Sequence, residues 1–434
     1  MPYYRIITFG CKVNQYDSAG LAQELVARGW RRAPDGSAPD LMLVNTCTVT
    51  ARADQEARQT IRRVHREFSR TPIWATGCYA QRAPEEMAAL PGVAGVLGNR
   101  EKLDWAVFLG QSAAGGQPLV RVGKFSPGEA FAALHPRRFP GHTRASLKIQ
   151  DGCSQACAYC IVPQVRGPSR SQAPAEVEKG LLELAAAGFQ EVVLTGIDLG
   201  QYGRDLRPPL TLAALLRRLT AGPWPFRLRL SSLEPQEISP ELVKSLEEFS
   251  GLCPHFHLPL QSGADPVLAA MGRPYLSEDF REVVLELCRR FPDAALGLDV
   301  LVGFPTETSR DFEATYALVA SLPATYLHVF PFSPRPGTPA ASLPPLPAKE
   351  VKARAGSLRE LGRLKQREFY ARQVGKIVEV LVEGPAGPSG WLKGLSENYL
   401  RVTLPGPIAW QNRRLPVRLK ELRAGVLVGE ALSR

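Results

Sequence analysis

The sequence predicts an α/β protein with three parts: an amino-terminal doubly wound parallel sheet, a central partial (βα)6 barrel and a small carboxyl-terminal antiparallel β-barrel. Two observations predict the first two parts. Apolar strand-like runs alternate with helical segments through most of the chain, and six such pairs in its centre are too few for a closed eight-stranded barrel. A third observation predicts the last part, because beyond Gly375 short strands are separated by glycine turns. We place the domains at residues 1–125, 140–368 and 371–434.

Length and charge limit the possible functions. The chain has 434 residues, of which 44% are hydrophobic, enough for two or three cores. Its 53 Lys and Arg residues against 42 Asp and Glu give a formal net charge of +11, which favours an anionic partner, nucleic acid before membrane. No run of about 18 apolar residues occurs, so we expect no membrane span, no signal peptide and a cytoplasmic protein. Eight cysteines in a chain of this length suit thiolate ligands in a reducing compartment.

The first domain places one cysteine after each of three predicted strands. The strands are Tyr4–Phe9, Leu41–Asn45 and Pro72–Thr76, and the helices between and behind them are Ser18–Arg28, Gln55–Phe68 and Glu85–Leu90. Cys11, Cys47 and Cys78 follow the strands at intervals of about one βαβ unit. Because carboxyl ends of parallel strands meet at one edge of a sheet, we expect the thiols to converge on a cluster site. Three unrelated structural cysteines are the alternative.

A segment rich in Gly, Ala and Pro, Gly110–Pro140, is predicted to link this domain to the next. A strand at Ser146–Gln150 then leads into a loop with Cys153, Cys157 and Cys160. Structural zinc usually binds two separated pairs of ligands, so three closely spaced cysteines suit zinc badly. Three thiolates around an iron–sulfur cube leave one iron open to a substrate or cofactor.

Five further βα units follow this loop. The predicted strands are Glu191–Thr195, Arg227–Ser231, Phe256–Leu260, Leu296–Leu301 and Tyr326–Phe330, and the helices are Ala175–Ala187, Leu210–Thr220, Pro240–Glu248, Ser277–Arg290 and Ser309–Ser321. Small residues recur at the strand ends, where βα barrels bind ligands and where backbone can approach a nucleoside closely. His255 and His257 are predicted to be packed or hydrogen-bonded core histidines rather than metal ligands. For Arg166 and Arg170, a solvated basic loop and a substrate or domain contact remain equally open.

The carboxyl-terminal part begins with a charged helix from Ala348 to about Tyr370. The predicted strands are Ile377–Val382, Gly390–Leu395, Tyr399–Leu404 and Pro416–Leu422. A surface that follows a nucleic acid backbone and stacks on its bases is predicted from its basic and aromatic residues, namely Tyr399, Arg401, Trp410, Arg413, Arg414, Arg418, Lys420 and Arg423. A merely solvated charged face is the alternative.

Several of these segments resemble the radical S-adenosylmethionine methylthiotransferases. The loop Cys153-Ser-Gln-Ala-Cys157-Ala-Tyr-Cys160 is similar to the signature of radical S-adenosylmethionine enzymes. The runs that begin Phe9-Gly-Cys11, Asn45-Thr-Cys47 and Gly77-Cys78 resemble the amino-terminal domain of the methylthiotransferases. With gaps, the resemblance extends over essentially the whole chain.

The resemblance implies two 4Fe-4S clusters and S-adenosylmethionine as cofactors. Cys11, Cys47 and Cys78 would hold an auxiliary cluster, whereas Cys153, Cys157 and Cys160 would hold the catalytic cluster that cleaves S-adenosylmethionine. It also implies a partial barrel, a TRAM-like RNA-binding module at the carboxyl end, and cofactor contacts from Tyr159, Thr195 and Gly196. Ser231, Gln261 and Gly303 are predicted to contact the cofactor because they lie at successive strand ends, and ordinary βα turns are the alternative. This chain departs from the family pattern at Asp198, where relatives carry Asn or His, and at Gln172, where they carry Arg.

The implied reaction adds a methylthio group to C2 of adenosine 37 of tRNA, consuming two S-adenosylmethionine molecules. The run Lys12-Val13-Asn14-Gln15-Tyr16 most resembles enzymes that act on N6-threonylcarbamoyladenosine. The same chemistry on N6-isopentenyladenosine 37 or on a ribosomal protein side chain remains an alternative, as does a non-enzymatic RNA-binding protein with structural cysteines. The expected partners are the anticodon stem-loop of tRNA and a reductant such as flavodoxin or ferredoxin, and a monomer is the simplest expectation.

Overall fold

The computed structural model describes residues 1–108, 117–126, 128–387 and 390–432. These residues pack as two compact units. Unit 1 comprises Met1–Pro140, Lys148–Gln172 and Ser333–Ser342, and unit 2 comprises Gly141–Leu147, Ala173–Phe332 and Leu343–Arg434. Part of the predicted linker over Gly110–Pro140 lies outside the described residues. All six predicted cluster cysteines belong to unit 1.

Unit 1 is built on a six-stranded parallel sheet. Its strands are β1 (Tyr3–Thr8), β2 (Arg31–Arg32), β3 (Leu41–Thr46), β4 (Ile73–Gly77), β5 (Val93–Leu97) and β6 (Leu119–Arg121). Their spatial order is β2-β1-β3-β4-β5-β6. The three strands predicted from the sequence are confirmed, and three further strands join them. The order reverses between β1 and β3, and open α/β sheets bind their ligands beside such a switch point.

Helices connect these strands: α1 (Lys12–Ala27), α2 (Ala51–Glu67), α3 (Cys78–Arg82), α4 (Pro84–Ala88) and α5 (Trp105–Phe108). The first helix begins six residues before its predicted start. Asn14 and Asp17 are polar but fully buried in it, so its first turns lack the apolar periodicity that predicts a helix. The second helix begins four residues early because Thr50 caps it, its hydroxyl accepting a hydrogen bond from the backbone N–H of Ala53.

A smaller part of unit 1 carries the second group of cysteines. After β7 (Ala145–Lys148), the short strand β8 (Gln150–Asp151) pairs antiparallel with β9 (Arg170–Ser171), and α6 (Val162–Arg166) lies between them in sequence. One core cluster of the unit lies between the sheet and the helices that cover it. Its fully buried members include Met42, Val44, Ile61, Ile73, Tyr79 and Val96.

Unit 2 contains the predicted succession of βα pairs. Its strands beyond β7 are β10 (Glu191–Thr195), β11 (Arg227–Leu230), β12 (His255–Gln261), β13 (Ala295–Val302) and β14 (Tyr326–Pro331). The helices are α7 (Pro174–Ala186), α8 (Leu212–Thr220), α9 (Pro240–Glu248), α10 (Asp265–Ala270), α11 (Ser277–Arg290), α12 (Ser309–Ser321) and α13 (Ala348–Gln373). The strands form two three-stranded sheets, ordered β11-β10-β7 and β12-β13-β14. Each strand is followed by a helix, as predicted.

The chain then forms a closed five-stranded barrel. Its strands are β15 (Ile377–Pro385), β16 (Trp391–Ser396), β17 (Arg401–Pro405), β18 (Arg414–Arg423) and β19 (Val426–Ala431), in the order β15-β16-β17-β19-β18. The barrel is confirmed, but β19 was not predicted, and it pairs with β17 in parallel. The predicted wholly antiparallel pairing is therefore wrong at this one pair. None of the described helices combines the length and apolar character needed to cross a membrane.

Candidate functional site

Three cysteines meet at one edge of the sheet in unit 1. Cys11 follows β1, Cys47 follows β3 and Cys78 follows β4, and these three strands are neighbours. Cys47 and Cys78 are buried, whereas Cys11 is exposed. Cys78 interacts electrostatically with both other thiols, and its negative form raises the pKa of each. The structure therefore brings these predicted site residues together.

Glycine allows the backbone to pack tightly beside these thiols. Gly10 has a φ of +93°, and a Cβ atom placed on it would lie 2.8 Å from Cβ and 2.9 Å from Sγ of Cys47. Any side chain at this position would therefore collide with the thiol as well as strain the backbone. The absence of a side chain at residue 10 lets the loop after β1 close against the end of β3.

The protonation chemistry of these thiols suits metal ligands better than nucleophiles. Burial raises the pKa of Cys47 to about 12. The dense protein around the Cys11 thiol raises its pKa too, although the residue has exposed surface. Reactive cysteines need a lowered pKa, so these thiols would be poor nucleophiles on their own. A coordinating metal removes the thiol proton outright, and the three-thiol donor set fits an iron–sulfur cluster.

Cys153, Cys157 and Cys160 lie half-buried on one loop, with the half-buried Tyr159 between the last two. The backbone N–H of Cys160 donates to the carbonyl of Cys157 at 3.0 Å, and that of Cys153 donates to the carbonyl of Gly167 at 3.1 Å. These two backbone hydrogen bonds fix the turn that carries the thiols of Cys153, Cys157 and Cys160. The thiol spacing therefore stays suited to three corners of a cluster.

A glycine also fixes the start of this loop. Gly152 has a φ of +77°, and a Cβ on it would lie 2.1 Å from the carbonyl oxygen of Pro168. Only glycine fits between the two arms of the loop at this point.

The two cysteine groups are linked by direct packing within unit 1. Cys78 packs against Ile161 and Val165, which lie just beyond Cys160. The side-chain amide of Asn99 donates to the carbonyl oxygen of Val165 at 2.8 Å and lies 3.7 Å from the Sγ of Cys78. The short helix α6 thus touches one cysteine group and directly follows the other.

A third segment, Ser333–Ser342, contacts both parts of unit 1. The backbone N–H of Ala340 donates to the carbonyl of Ala158, inside the second cysteine loop, at 2.8 Å. The buried Arg335 donates through Nη2 to Asp54 and, at 3.3 Å, to Thr48, which directly follows Cys47. Arg335 is not among the site residues predicted from the sequence.

A buried ionic network lies between the cysteine groups. It contains Asp17, Lys102, Lys148, Asp151 and Arg166, all at most 7% exposed. Lys148 Nζ lies 2.9 Å from a carboxylate oxygen of each aspartate, and Arg166 contacts Asp151 at 2.9 and 3.0 Å. Burial alone would raise the pKa of both carboxyls, but attraction to the neighbouring cations outweighs it and holds both well below their usual range. Both aspartates are therefore ionised at neutral pH.

The solvated-loop interpretation is wrong for Arg166 and Arg170. Arg166 is 1% exposed and Arg170 is 7% exposed. Arg170 donates to the carbonyl of Arg166 at 2.9 Å, and its guanidinium lies 4.5 Å from the ring centre of Phe125. Gln172, which stands where relatives carry Arg, is also buried, and its backbone N–H donates to the carbonyl of Ile149.

The five strand-end residues predicted to contact the cofactor lie in unit 2. Thr195 ends β10 and is buried, Gly196 follows it, and Ser231 follows β11. Gln261 ends β12 with a φ of +64°, and Gly303 follows β13, its N–H donating to Glu307 at 3.2 Å. Among the described residues, the buried Oγ of Ser231 has no protein partner. These positions are the carboxyl ends of four strands, where barrels of this class bind ligands.

Two carboxyl groups beside these strand ends, those of Glu234 and Glu237, were missed by the sequence analysis. Burial, together with the neighbouring Asp198, raises the pKa of Glu237 to about 9. Burial raises the pKa of Glu234 to about 7 against the opposing effect of Arg273. Asp198 accepts a hydrogen bond of 2.6 Å from Gln201. Carboxyl groups with a raised pKa concentrate at functional sites, so Glu234 and Glu237 join the candidate site residues.

A polar cluster also lies on one face of β12, β13 and β14. Oδ1 of Asp299 lies 2.8 Å from Nε2 of His257 and 3.2 Å from Nδ1 of His328. The hydroxyl of Tyr326 lies 3.1 Å from Nδ1 of His257 and 2.7 Å from Nε2 of His255. Despite burial, the hydrogen bonds from the two imidazoles lower the pKa of Asp299 to about 2.

This polar face remains partly open. The side chains of His257, Asp299 and His328 are 13%, 22% and 52% exposed. Their ligand atoms lie within 4.8 Å of one another, so they could also hold a metal ion. His255 is buried and His257 is largely buried, and both are hydrogen-bonded, as predicted.

The predicted RNA-binding surface of the small barrel is only partly open. Arg401, Arg413 and Arg418 are exposed. Arg414 instead donates to the carbonyl of Pro225 at 2.8 Å, and Tyr399 stacks on His255 with ring centres 4.1 Å apart. The prediction that Arg414 and Tyr399 form part of an open surface is therefore wrong, because both join the small barrel to the rest of unit 2.

Comparisons with known proteins agree with this architecture. Residues 3–98 match the uncharacterized protein family UPF0004, and residues 147–319 match the radical SAM superfamily. Threonylcarbamoyladenosine tRNA methylthiotransferase MtaB of Bacillus subtilis is 36% identical over 423 residues, covering 96% of this chain and 93% of that protein. The protein of the same name from Thermotoga maritima is 36% identical over 403 residues, covering 92% and 91%. The tRNA-2-methylthio-N(6)-dimethylallyladenosine synthase of Pelotomaculum thermopropionicum is 32% identical, covering 99% and 97%.

Among solved structures, the radical S-adenosylmethionine methyltransferase TsrM of Kitasatospora setae, with cobalamin and a 4Fe-4S cluster bound, has a similar fold. The TM-score is 0.57 at 19% identity, covering 78% of this chain and 77% of that one. At this identity the likeness concerns the fold alone. The identity and coverage of the curated relatives decide the family: the chain belongs to the radical S-adenosylmethionine methylthiotransferases.

Proposed function

We propose that this enzyme adds a methylthio group to C2 of N6-threonylcarbamoyladenosine at position 37 of tRNA. The observation that supports a two-cluster reaction is the position of the six cysteines, since Cys78 packs directly against residues that follow Cys160. Cys11, Cys47 and Cys78 would hold an auxiliary 4Fe-4S cluster, and Cys153, Cys157 and Cys160 the catalytic one. When bound, these clusters supply an electron for cleaving S-adenosylmethionine and a sulfur atom for transfer.

The strand ends of unit 2 supply the proposed cofactor contacts. Thr195, Gly196, Ser231, Gln261 and Gly303, together with Tyr159, are proposed to contact S-adenosylmethionine. Ser231 supports this assignment, because its buried hydroxyl has no protein partner among the described residues and a ligand would satisfy it. The same proposal includes the consumption of two S-adenosylmethionine molecules per product. It also includes a flavodoxin or ferredoxin as the reductant, and action in the cytoplasm, where tRNA is found.

The polar face of β12–β14 supports the choice of nucleoside. A dimethylallyl group is a hydrocarbon and would displace water from the partly exposed polar groups of this face without replacing those hydrogen bonds, which costs free energy. A threonylcarbamoyl group carries a carboxylate, a hydroxyl and an amide-like linkage that can pair with imidazoles. His257 and His328 also both contact Asp299. The names of the first relatives, MtaB from two organisms, favour the same nucleoside.

The test compares substrates on one enzyme preparation. The reconstituted protein, S-adenosylmethionine and a reductant are incubated with tRNA carrying threonylcarbamoyl- or isopentenyl-adenosine at position 37, and with ribosomal protein. Nucleosides and peptides are then analysed by mass spectrometry. We expect methylthiolation of the threonylcarbamoyl tRNA, and product on either other substrate alone would contradict the proposal. His328→Leu should lower that rate about tenfold without slowing S-adenosylmethionine cleavage, whereas the exposed His142→Leu should change neither.

A further inference from the structure

Arg166 is a buried charged side chain that follows the cysteine loop in sequence and interacts with the strand-end cysteines. It ends α6, the helix that directly follows Cys160, and it is 1% exposed. Val165, its neighbour, packs against Cys78. Electrostatic interaction links the guanidinium to the thiols of Cys11, Cys47 and Cys78. Arg166 therefore lies close to the three strand-end cysteines.

Most of the guanidinium is held in place by protein acceptors. Nη1 donates to both carboxylate oxygens of Asp151 at 2.9 and 3.0 Å. Nη2 donates to Oδ1 of Asn14 at 2.6 Å and lies 3.3 Å from Asp17. These contacts fix the plane of the group. Nε differs, because it is buried and has no hydrogen-bond partner among the described residues.

The network around Arg166 also carries surplus positive charge. Its two carboxylates, Asp17 and Asp151, face three cations, Lys102, Lys148 and Arg166, a formal sum of 3 − 2 = +1. An uncompensated buried charge costs several kcal/mol, so a compensating anion is expected nearby. Metal-bound thiolates and cluster sulfides are anionic and accept hydrogen bonds, and such bonds help set a cluster's reduction potential.

We propose that Arg166 donates its Nε–H to a sulfur atom of the auxiliary site formed by Cys11, Cys47 and Cys78, and that this contact raises the reduction potential of that site. The inference rests on the proposed auxiliary cluster. Asn14, Asp17 and Asp151 act as positioning residues that aim the guanidinium. A donor and a positive charge stabilise the more negative, reduced form, so their removal lowers the potential.

The test uses the full-length chain with Cys153, Cys157 and Cys160 replaced by Ala, so that the auxiliary site is the one under observation. Iron is first counted after anaerobic reconstitution. A chain that binds no iron contradicts the proposed auxiliary cluster itself, whereas a loaded chain allows the potential to be measured by redox titration followed by electron paramagnetic resonance. The two failures are therefore distinguishable.

In this background we expect Arg166→Gln to lower the reduced-to-oxidised ratio of the auxiliary cluster at a fixed potential at least tenfold. For a one-electron couple this corresponds to a reduction potential lower by about 59 mV. Arg166→Lys keeps the charge but not the Nε–H, and should give a smaller downward shift. Lys148→Gln is the matched control, since it removes one buried cation from the same two aspartates. Equal shifts for Arg166→Gln and Lys148→Gln, at equal iron content, would overturn the proposal.

A second measurement keeps the Arg166 side chain and so does not depend on folding of the variants. The same chain is labelled with 15N-arginine, and pulsed electron paramagnetic resonance of the reduced cluster records nitrogen couplings. We expect a 15N coupling from arginine. Its absence in a fully loaded sample would show that Nε does not contact the cluster.

Discussion

Oδ1 of Asn14 accepts a hydrogen bond of 2.6 Å from Nη2 of Arg166, although 152 residues separate them in sequence. The amide nitrogen of the same Asn14 donates to the carbonyl oxygens of Phe9 at 2.8 Å and Thr46 at 3.0 Å. One buried side chain thus joins the ends of β1 and β3 to α6. The geometry of the strand-end cysteines therefore depends on a residue that is not itself a ligand.

Asn14→Ala should destabilise unit 1 and reduce cluster loading. It removes three hydrogen bonds, two of them buried, to Phe9, Thr46 and Arg166, which we expect to cost about 2–4 kcal/mol of the free energy of unfolding. Urea unfolding of the apo-protein measures this loss, and iron analysis measures loading. Gln15→Ala, at the adjacent exposed position, is the control and should change neither quantity. Equal behaviour of the two variants would contradict the bridging role.

Replacing any of Cys153, Cys157 or Cys160 by Ala should abolish reductive cleavage of S-adenosylmethionine, because two thiolates hold the cube poorly. The formation of 5′-deoxyadenosine measures the reaction. Cys288→Ala is the control, since Cys288 lies on α11, outside both cysteine groups, and should retain the rate. Wild-type cleavage in any of the three loop variants would remove that cysteine from the catalytic site.

Replacing Cys11, Cys47 and Cys78 together by Ala should separate the two clusters. Bound iron should fall by about half, S-adenosylmethionine cleavage should remain detectable, and methylthiolation should disappear because the sulfur-carrying site is gone. Iron content, 5′-deoxyadenosine and modified nucleoside are measured on one preparation. Continued formation of the methylthio product would mean that these thiols are structural.

The stability of unit 2 should depend on pH through Glu191. Nε atoms of Arg227 and Arg229 donate to its carboxylate at 2.8 and 2.7 Å, and their other nitrogens donate to carbonyls of the small barrel, including that of Leu395 at 2.9 Å. Burial opposes ionisation of Glu191, but the two guanidinium groups, Arg229 foremost, lower its pKa to about 2.

The pKa of Glu191 in the folded protein lies below the ordinary 4.5. The stabilisation from its ionised carboxylate is therefore fully present above pH 4.5 and is lost as the pH falls towards 2. The loss should amount to about 3 kcal/mol, from 1.36 kcal/mol per pKa unit. Glu191→Gln should remove this pH dependence and destabilise the unit by about 3–5 kcal/mol at neutral pH. Chemical unfolding at several pH values provides the measurement. Glu286→Gln is the control, because that exposed group also has a pKa lowered to about 2 yet is screened by water.

The succession of strands and helices along the chain was predicted well from the sequence. The buried polar network was not. Strands such as β3 and β10 are short apolar runs bounded by turn residues, so local composition is enough to find them. Asp17, Asp151 and Arg166 are buried because they pair with one another across 15 to 149 residues. No local pattern distinguishes such a residue from a solvated one, since its partner is set by the fold.

The same reasoning explains the misjudged aromatic and basic residues of the small barrel. Tyr399 and Arg414 have the composition of an RNA-binding surface, but their partners His255 and Pro225 lie on distant segments. The cysteines were easier to find, because metal ligands recur at fixed sequence spacings or at successive strand ends. The polar face of His257, Asp299 and His328 required knowledge of which strands are adjacent.

Exposed arginines of the small barrel should supply salt-dependent affinity for tRNA. Deleting the barrel is a poor test, because Arg227 and Arg229 would lose their carbonyl partners. The sharper test replaces Arg401, Arg413 and Arg418 together by Ala, since each is exposed. If all three contact phosphates, the slope of log affinity against log salt should fall in magnitude by about two to three.

Cluster content and S-adenosylmethionine cleavage should not change in this triple variant, because the six cysteines all lie in unit 1. Replacing Arg217, Arg281 and Arg289, exposed residues on the helices of unit 2, by Ala removes the same charge elsewhere and is the control. A shallower slope in the barrel variant alone places phosphate contacts on these three residues. Equal slopes in both variants would show that net charge, rather than this surface, determines the affinity, and the RNA anchor would then lie outside the small barrel.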